Sequence, residues 1–193
     1  MKKNLIKLTF CLMACLSLLI VTGCEKDTNN DNVNENDQNN VTEATKGNCS
    51  AFECIKMIEP ENTVEEINEI IGFEGELTDA EYNKYYWELS SNSGIEVTYY
   101  SSKNGTISVE YDREELANSA VDFSNYDEID KLLDDGTSLT YEEFVSKVGQ
   151  VEGTLVEKGT ITTKYTWVNS EGGYLTASFS NSSGKCTFVT GRI

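Results

Sequence analysis

Histidine is absent from all 193 residues. That removes the commonest general base, the Ser-His and Cys-His nucleophile pairs and the commonest zinc ligand. Basic side chains are scarce too, 15 Lys and Arg against 33 Asp and Glu, for a net charge of −18. Nucleic acid is excluded as a partner, because phosphate binding needs clustered Lys and Arg. The same field repels anionic lipid headgroups, so the folded surface itself should not adhere to a bilayer.

What is present begins with an export signal. Lys2, Lys3 and Lys7 form a positive start, and Leu8 to Val21 is an apolar run too short to span a bilayer comfortably. Val21-Thr22-Gly23-Cys24 resembles a lipobox, in which the cysteine thiol is diacylated and cleavage leaves Cys24 as the first residue. An uncleaved anchor helix is the alternative and gives the same address. Residues 1–23 are thus expected to be a lipoprotein signal peptide. The rest is expected at the extracytoplasmic face of the cell membrane, held there by diacylglyceryl on Cys24, since two acyl chains suffice for stable anchoring. Removal of residues 1–23 leaves 12 basic against 33 acidic side chains.

Six cysteines occur, but Cys11 and Cys15 leave with the signal and Cys24 carries lipid, so Cys49, Cys54 and Cys186 remain for the folded part. Cys49 and Cys54 are a candidate disulfide outside the cytosol; the alternative is free thiols. Positions five apart on one helix point to different sides, so the bridge requires Cys49 to precede the helix. Three thiols without histidine fall short of a zinc site, and no metal or cofactor is expected.

Residues 24–47 read as a tether, because Asn, Asp, Glu and Thr dominate and almost nothing apolar is available to offset the entropy of ordering. As a flexible coil it reaches roughly 25 to 30 Å. Asp27, Asn29 and Asp31 imitate the opening of a calcium loop, but the required glycine and terminal glutamate are missing.

Beyond the tether the chain repeats itself. Thr63-Val64-Glu65-Glu66-Ile67-Asn68-Glu69-Ile70-Ile71-Gly72 returns as Thr140-Tyr141-Glu142-Glu143-Phe144-Val145-Ser146-Lys147-Val148-Gly149 without a gap. Each copy has Thr at a helix N-cap, Glu three residues on, acids in the first turn and Gly at the end. The register continues through Glu74-Gly75-Glu76-Leu77 against Glu152-Gly153-Thr154-Leu155, and Trp87 against Trp167. Another amphipathic stretch precedes each capped helix, Ala51 to Ile58 and Tyr126 to Leu133. Three runs of strand period follow: Tyr85, Trp87, Leu89; Ile95, Val97, Tyr99; Ile107, Val109, Tyr111. The second copy offers Tyr165 and Trp167, then Leu175, Ala177 and Phe179, then Cys186 and Phe188.

The spacing therefore predicts an α+β fold of two tandem helix-helix-three-strand units, an antiparallel sheet with helices on one face. The first repeat is placed at 48–111, a connector at 112–122 and the second repeat at 123–193. Each unit is marginal alone, which favours docking of the two.

Two tandem units of capped helix, E-G-x-L segment, Trp strand and hairpin resemble the beta-lactamase inhibitory protein fold and its bacterial lipoprotein relatives. A similar single unit occurs in small outer-membrane lipoproteins of the SmpA/OmlA type. The resemblance implies a concave sheet that grips a protein, with helices behind it; the inhibitor's contact residues do not carry over by motif. Its disulfide within each unit has no counterpart in the second copy, which holds only Cys186.

If the apolar set packs on helices, the opposite face shows Lys84, Tyr86, Glu88, Glu96, Thr98, Tyr100, Ser108 and Glu110, with Lys164, Thr166, Tyr174, Thr176 and Ser178. Tyrosine gives large contact area at low entropy cost and is enriched in binding surfaces, although Tyr and Thr are also good strand formers. Tyr86, Glu88, Tyr100, Lys164, Tyr174 and Thr176 are the candidate binding residues. The leading expectation is a noncatalytic lipoprotein whose sheet face binds a protein or envelope component, as an inhibitor in one version. A structural or assembly role in the envelope is the alternative. A third reading is a hydrolase using Glu88 and Glu96, since glycoside hydrolysis needs only two acids at suitable separation.

Overall fold

Backbone amides at a helix start lack partners, and side chains supply them at three of the four α-helices among the described residues. The computed structural model describes residues 46–101 and 104–193, all within one compact unit. Helix α1 (Ala51–Met57) opens where the Ser50 amide donates to Glu53 Oε2 at 3.0 Å. Helix α2 (Val64–Ile71) opens with a reciprocal pair: the Thr63 amide donates to Glu66 at 2.9 Å and the Glu66 amide to Thr63 Oγ1 at 3.3 Å. Thr140 and Glu143 repeat that box at α4 (Tyr141–Lys147), at 2.8 and 3.3 Å. Each box is worth about 1 kcal/mol to its helix. Gly72 ends α2 at φ +96°, a left-handed conformation that disfavours other residues. Helix α3 (Tyr126–Asp134) precedes α4 in the second repeat.

The strands are β1 (Glu76–Asp79), β2 (Lys84–Glu88), β3 (Gly94–Ser101), β4 (Asn104–Glu110), β5 (Ala117–Asn118), β6 (Thr154–Gly159), β7 (Thr162–Asn169), β8 (Tyr174–Ser180) and β9 (Cys186–Arg192). They form one nine-stranded sheet in the order β1-β2-β3-β4-β6-β7-β8-β9, with β5 beside β7. Every pairing is antiparallel except β5 with β7. β5 meets β7 at Val168 and Asn169, just past the point where β6 stops at its Thr154–Thr166 pair, so it occupies the place β6 leaves.

This corrects the expected architecture. The class remains broadly α+β, but the helix-helix-three-strand unit is wrong: each repeat contributes four strands and the connector the ninth, so the sheet is larger than two three-stranded pieces. The missed strands are the E-G-x-L segments, which become β1 and β6. Both bulge just after the shared leucine, between Leu77 and Asp79 and between Leu155 and Glu157. A bulge inserts one residue and breaks the period-two alternation by which strands are read.

Helices cover one side of the sheet over two apolar clusters. Trp87, Ile95, Val97 and Ile107 pack against Ile55, Ile58, Ile67 and Ile71; Trp167, Leu175, Ala177 and Phe179 pack against Ile129, Phe144 and Val148. Leu155, packed on the first cluster, is paired across strands with Tyr165, packed on the second, so both clusters lie on the same side. Fully burying each large side chain contributes roughly 1.5 to 3 kcal/mol. The second copy replaces aliphatic contacts with rings: Phe144 lies 4.9 Å from Trp167 and Tyr141 4.5 Å from Tyr165, centroid to centroid.

A shared device positions both tryptophans. A Cβ on Gly75 would overlap the Trp87 ring, and one on Gly153 would sit 2.6 Å from Trp167 Cζ2. Trp87 Nε1 donates to Asn68 Oδ1 at 2.9 Å, whereas Trp167 Nε1 donates to the Val151 carbonyl at 2.8 Å. Cys49, just ahead of α1, is disulfide-bonded to Cys54 within it, with Cα atoms 5.6 Å apart. Cys186 is a buried free thiol in the second cluster.

The repeats join at β4 and β6, through Thr106–Gly159, Ile107–Lys158 and Ser108–Glu157. Lys158 locks this seam from the helix side, reaching Glu59 at 2.7 Å and the Ile58 carbonyl at 3.1 Å, while Thr160 bonds Asn104 at 2.9 Å.

Candidate functional site

The helix-free side of the sheet carries the candidate residues, and the strand order separates them into groups. Tyr86 pairs across with Glu96 and lies over Gly94, where a Cβ would stand 2.6 Å from Tyr86 Cε2. Only a glycine lets the ring lie down on the neighbouring strand. Gly94 in turn pairs with Glu110, whose carboxylate meets the Tyr86 hydroxyl. Burial first, then the charge and hydrogen bond of Glu110, then Glu88 and Glu96, push the Tyr86 phenol up to about 12. Tyr86 therefore presents a neutral hydroxyl inside a ring of carboxylates.

Lysines occupy two of those acids and a third on β6. Lys84 pairs with Glu96 at 3.1 Å, Lys46 with Glu88, and Lys164 with Glu157 at 2.7 Å. Glu88 and Glu96 thus each engage a different lysine. Thr176 shares a hydrogen bond with Thr166 at 3.0 Å, and Thr166 is buried despite facing away from the helices.

The cover over that threonine comes from the last residue of the first repeat. Tyr111, just past β4, contacts Phe52 of α1 with ring centroids 5.6 Å apart and brings its hydroxyl to Thr166. Burial raises the Tyr111 phenol above its ordinary value, against the hydrogen bond to Thr166 and the nearby Arg113 cation. Arg113, in a 3-10 turn (Arg113–Leu116), carries its guanidinium 3.9 Å above the centre of the Tyr174 ring. Tyr174 is therefore half-covered. Tyr86, Glu110, Tyr111 and Arg113 line one shallow depression of about 550 Å³, and Arg113 borders two more on its far side.

Tyr86 and Tyr174 are five strand spacings apart, roughly 24 Å, so they do not touch the same small epitope. Arg113 lies between them, bordering the depression at Tyr86 and stacking on Tyr174. Tyr100 stands apart at the end of β3, highly exposed where the β3–β4 register slips. Reading the sequence strand by strand places Tyr111 only among the helix-facing positions of the first repeat, where it does pack on the first cluster, and misses Arg113, which belongs to the connector. One signal pointed there: Arg113 is one of only two arginines in the chain.

Among the described residues no group of three or more His, Cys, Asp or Glu side chains is arranged to hold a metal ion, and no helix is long and apolar enough to cross a membrane. The signal peptide at 1–23, the lipidation site Cys24, the Asp27–Asp31 segment and the tether to residue 45 lie outside the described residues. Lys46 and Asn48 already bond the fold, their amides reaching the Leu89 and Ile71 carbonyls at 2.7 and 2.8 Å.

Comparisons with protein-family models, with curated proteins and with solved structures find no match to this chain.

Proposed function

We propose that this protein is a noncatalytic lipoprotein, tethered through diacylglyceryl on Cys24 at the extracytoplasmic face of the cell membrane, whose helix-free sheet face binds a protein or envelope component. One observation carries the reading: Arg113 is held over Tyr174 at the rim of a depression containing Tyr86 and Tyr111. Tyr and Arg are the side chains most enriched at the energetic centres of interfaces, and a continuous sheet holds them at fixed spacing. The resemblance of each repeat to the beta-lactamase inhibitory protein unit supports a gripping sheet, with inhibition of an enzyme as one form of binding. Lys46, Lys84 and Lys164 partly neutralise the face, while Glu110 beside Tyr86 leaves an acidic centre suited to a partner that presents cationic groups.

The test immobilises the full chain and an Arg113→Glu variant and measures capture from the envelope and secreted fractions of the organism that makes it. A saturable partner retained by the parent and lost by the variant supports the reading. Equal capture by both, or none by either, refutes it for this face.

A further inference from the structure

The seam between the repeats is a template for a second seam between molecules. In it, the last strand of repeat one, β4, pairs with the first strand of repeat two, β6. The equivalent strands at the ends of the sheet are β9, last of repeat two, and β1, first of repeat one. Among the described residues neither has a strand on its outer side, although the start of β9 is held by the segment before α4, where the Cys186 amide donates to the Leu139 carbonyl at 2.7 Å and Thr140 bridges Lys185, so Thr187–Arg192 is the stretch without a strand partner there. The equivalence holds as far as Asp79: Lys158 and Gly159 correspond to Ala80 and Glu81, which leave β1 in a turn whose Glu81 and Tyr82 amides donate to Asp79. Leu77 and Leu155 face Tyr85 and Tyr165, each followed by the same bulge, so Asp79 opposite Lys84 corresponds to Glu157 opposite Lys164. Likewise Glu96 pairs with Ser108 as Thr176 pairs with Thr190, so Thr190 corresponds to Ser108.

The two outer edges also match in chemistry. Residues 74–81, around β1, hold Glu74, Glu76, Asp79 and Glu81 with no basic side chain; residues 185–193, along β9, hold Lys185 and Arg192 with no acid. Exposed apolar side chains sit at both: Leu77 is 47% exposed at β1, and Phe188 and Ile193 are each 61% exposed at β9. Native edge strands are ordinarily blunted by charges, proline or short length. β9 is seven residues long, without proline, and its only charge is Arg192.

We infer that β9 pairs antiparallel with β1 of a second copy of this chain, extending the sheet head to tail. The seam Ser108–Glu157 becomes Thr190 opposite Asp79 of the next molecule, which sets Arg192 against the acidic Glu76–Asp79 stretch. The contact uses two different edges, so it does not close on itself as a twofold dimer would and propagates into a row. This goes beyond the binding face, which it leaves open on every copy.

Asp79→Cys and Thr190→Cys in one full-length chain test the pairing. Facing residues in an antiparallel pair have Cα atoms about 4.5 to 5.5 Å apart, within disulfide reach. The two positions lie on opposite edges of one molecule, seven strand spacings or roughly 33 Å apart, so they cannot bridge internally. Oxidation should give a ladder of multimers on a nonreducing gel. A mixture of the two single variants should stop at the dimer, and adding Arg192→Glu to the double variant should reduce the ladder several-fold. No product above that of the single variants overturns the inference, as does a Thr190→Cys dimer formed alone at equal yield, which would mean β9 against β9. Sedimentation of the unsubstituted chain gives a check free of substitutions: assembly that grows with concentration is expected, and a monomer at every concentration is contradictory.

Discussion

The Arg113 guanidinium lies 3.9 Å above the centre of the Tyr174 ring, joining a side chain of the connector to a strand of the second repeat. The connector is thereby a part of the sheet surface. An exposed cation–π contact contributes about 0.5 to 1 kcal/mol. Arg113→Ala should lower unfolding stability by no more than that while removing partner binding. A denaturation midpoint that collapses in this variant would mean that Arg113 serves the fold.

The glycine-tryptophan contacts should be among the least tolerant positions. Gly75→Ala and Gly153→Ala force a methyl group into an indole ring, a clash expected to cost about 1 to 3 kcal/mol. Asn68→Leu should cost about as much, because it strips the acceptor from Trp87 Nε1 and from the Gly75 amide. In the second repeat no one side chain serves both donors: Trp167 bonds a backbone carbonyl and the Gly153 amide donates to the Tyr141 hydroxyl at 3.0 Å. Urea titrations of the three variants check this; unchanged midpoints would show that the rings shift freely.

Cys49 and Cys54 close a loop with a sequence separation of five, for which the chain-entropy argument gives about 2 kcal/mol. The double Cys49→Ala, Cys54→Ala variant should lose roughly that amount. Burial raises the Cys186 thiol above its ordinary value, so little thiolate forms at neutral pH. Peptide mapping after alkylation should find Cys186 unmodified in the native protein and modified after unfolding. Rapid native labelling at Cys186 would contradict its place in the core.

Alkaline pH should unfold the protein through its tyrosines. Burial is the main cause that raises both Tyr86 and Tyr99 from 10.0 to about 12 in the fold. Because the folded values exceed the unfolded ones, the associated stability is complete below about pH 10 and is lost as pH rises toward 12. Stability measured against pH should be flat through neutrality and fall across that window, together with phenolate absorbance. A fall beginning near pH 8 would point to other groups.

The helices and the paired tryptophan strands were legible because capping residues and period-two alternation are local signals, as Thr63-Glu66 and Tyr85-Trp87-Leu89 illustrate. β1 and β6 were not, since the bulges after Leu77 and Leu155 erase alternation and Glu76, Leu77 and Thr78 are exposed. The candidate face was legible as a set of residue types. Its geometry was not: the separation of Tyr86 from Tyr174 follows from strand order, and the arrival of Arg113 depends on where a connector crosses a sheet.

Site-specific photo-crosslinking in living cells addresses the binding face most directly. A photoreactive phenylalanine analogue replaces Tyr86 on the helix-free face in one strain and Met57, exposed on α1, in another. The binding account expects a discrete adduct from position 86 that disappears when Arg113→Glu is added, and none from position 57. Adducts of equal yield from both positions, or none from position 86, would contradict it.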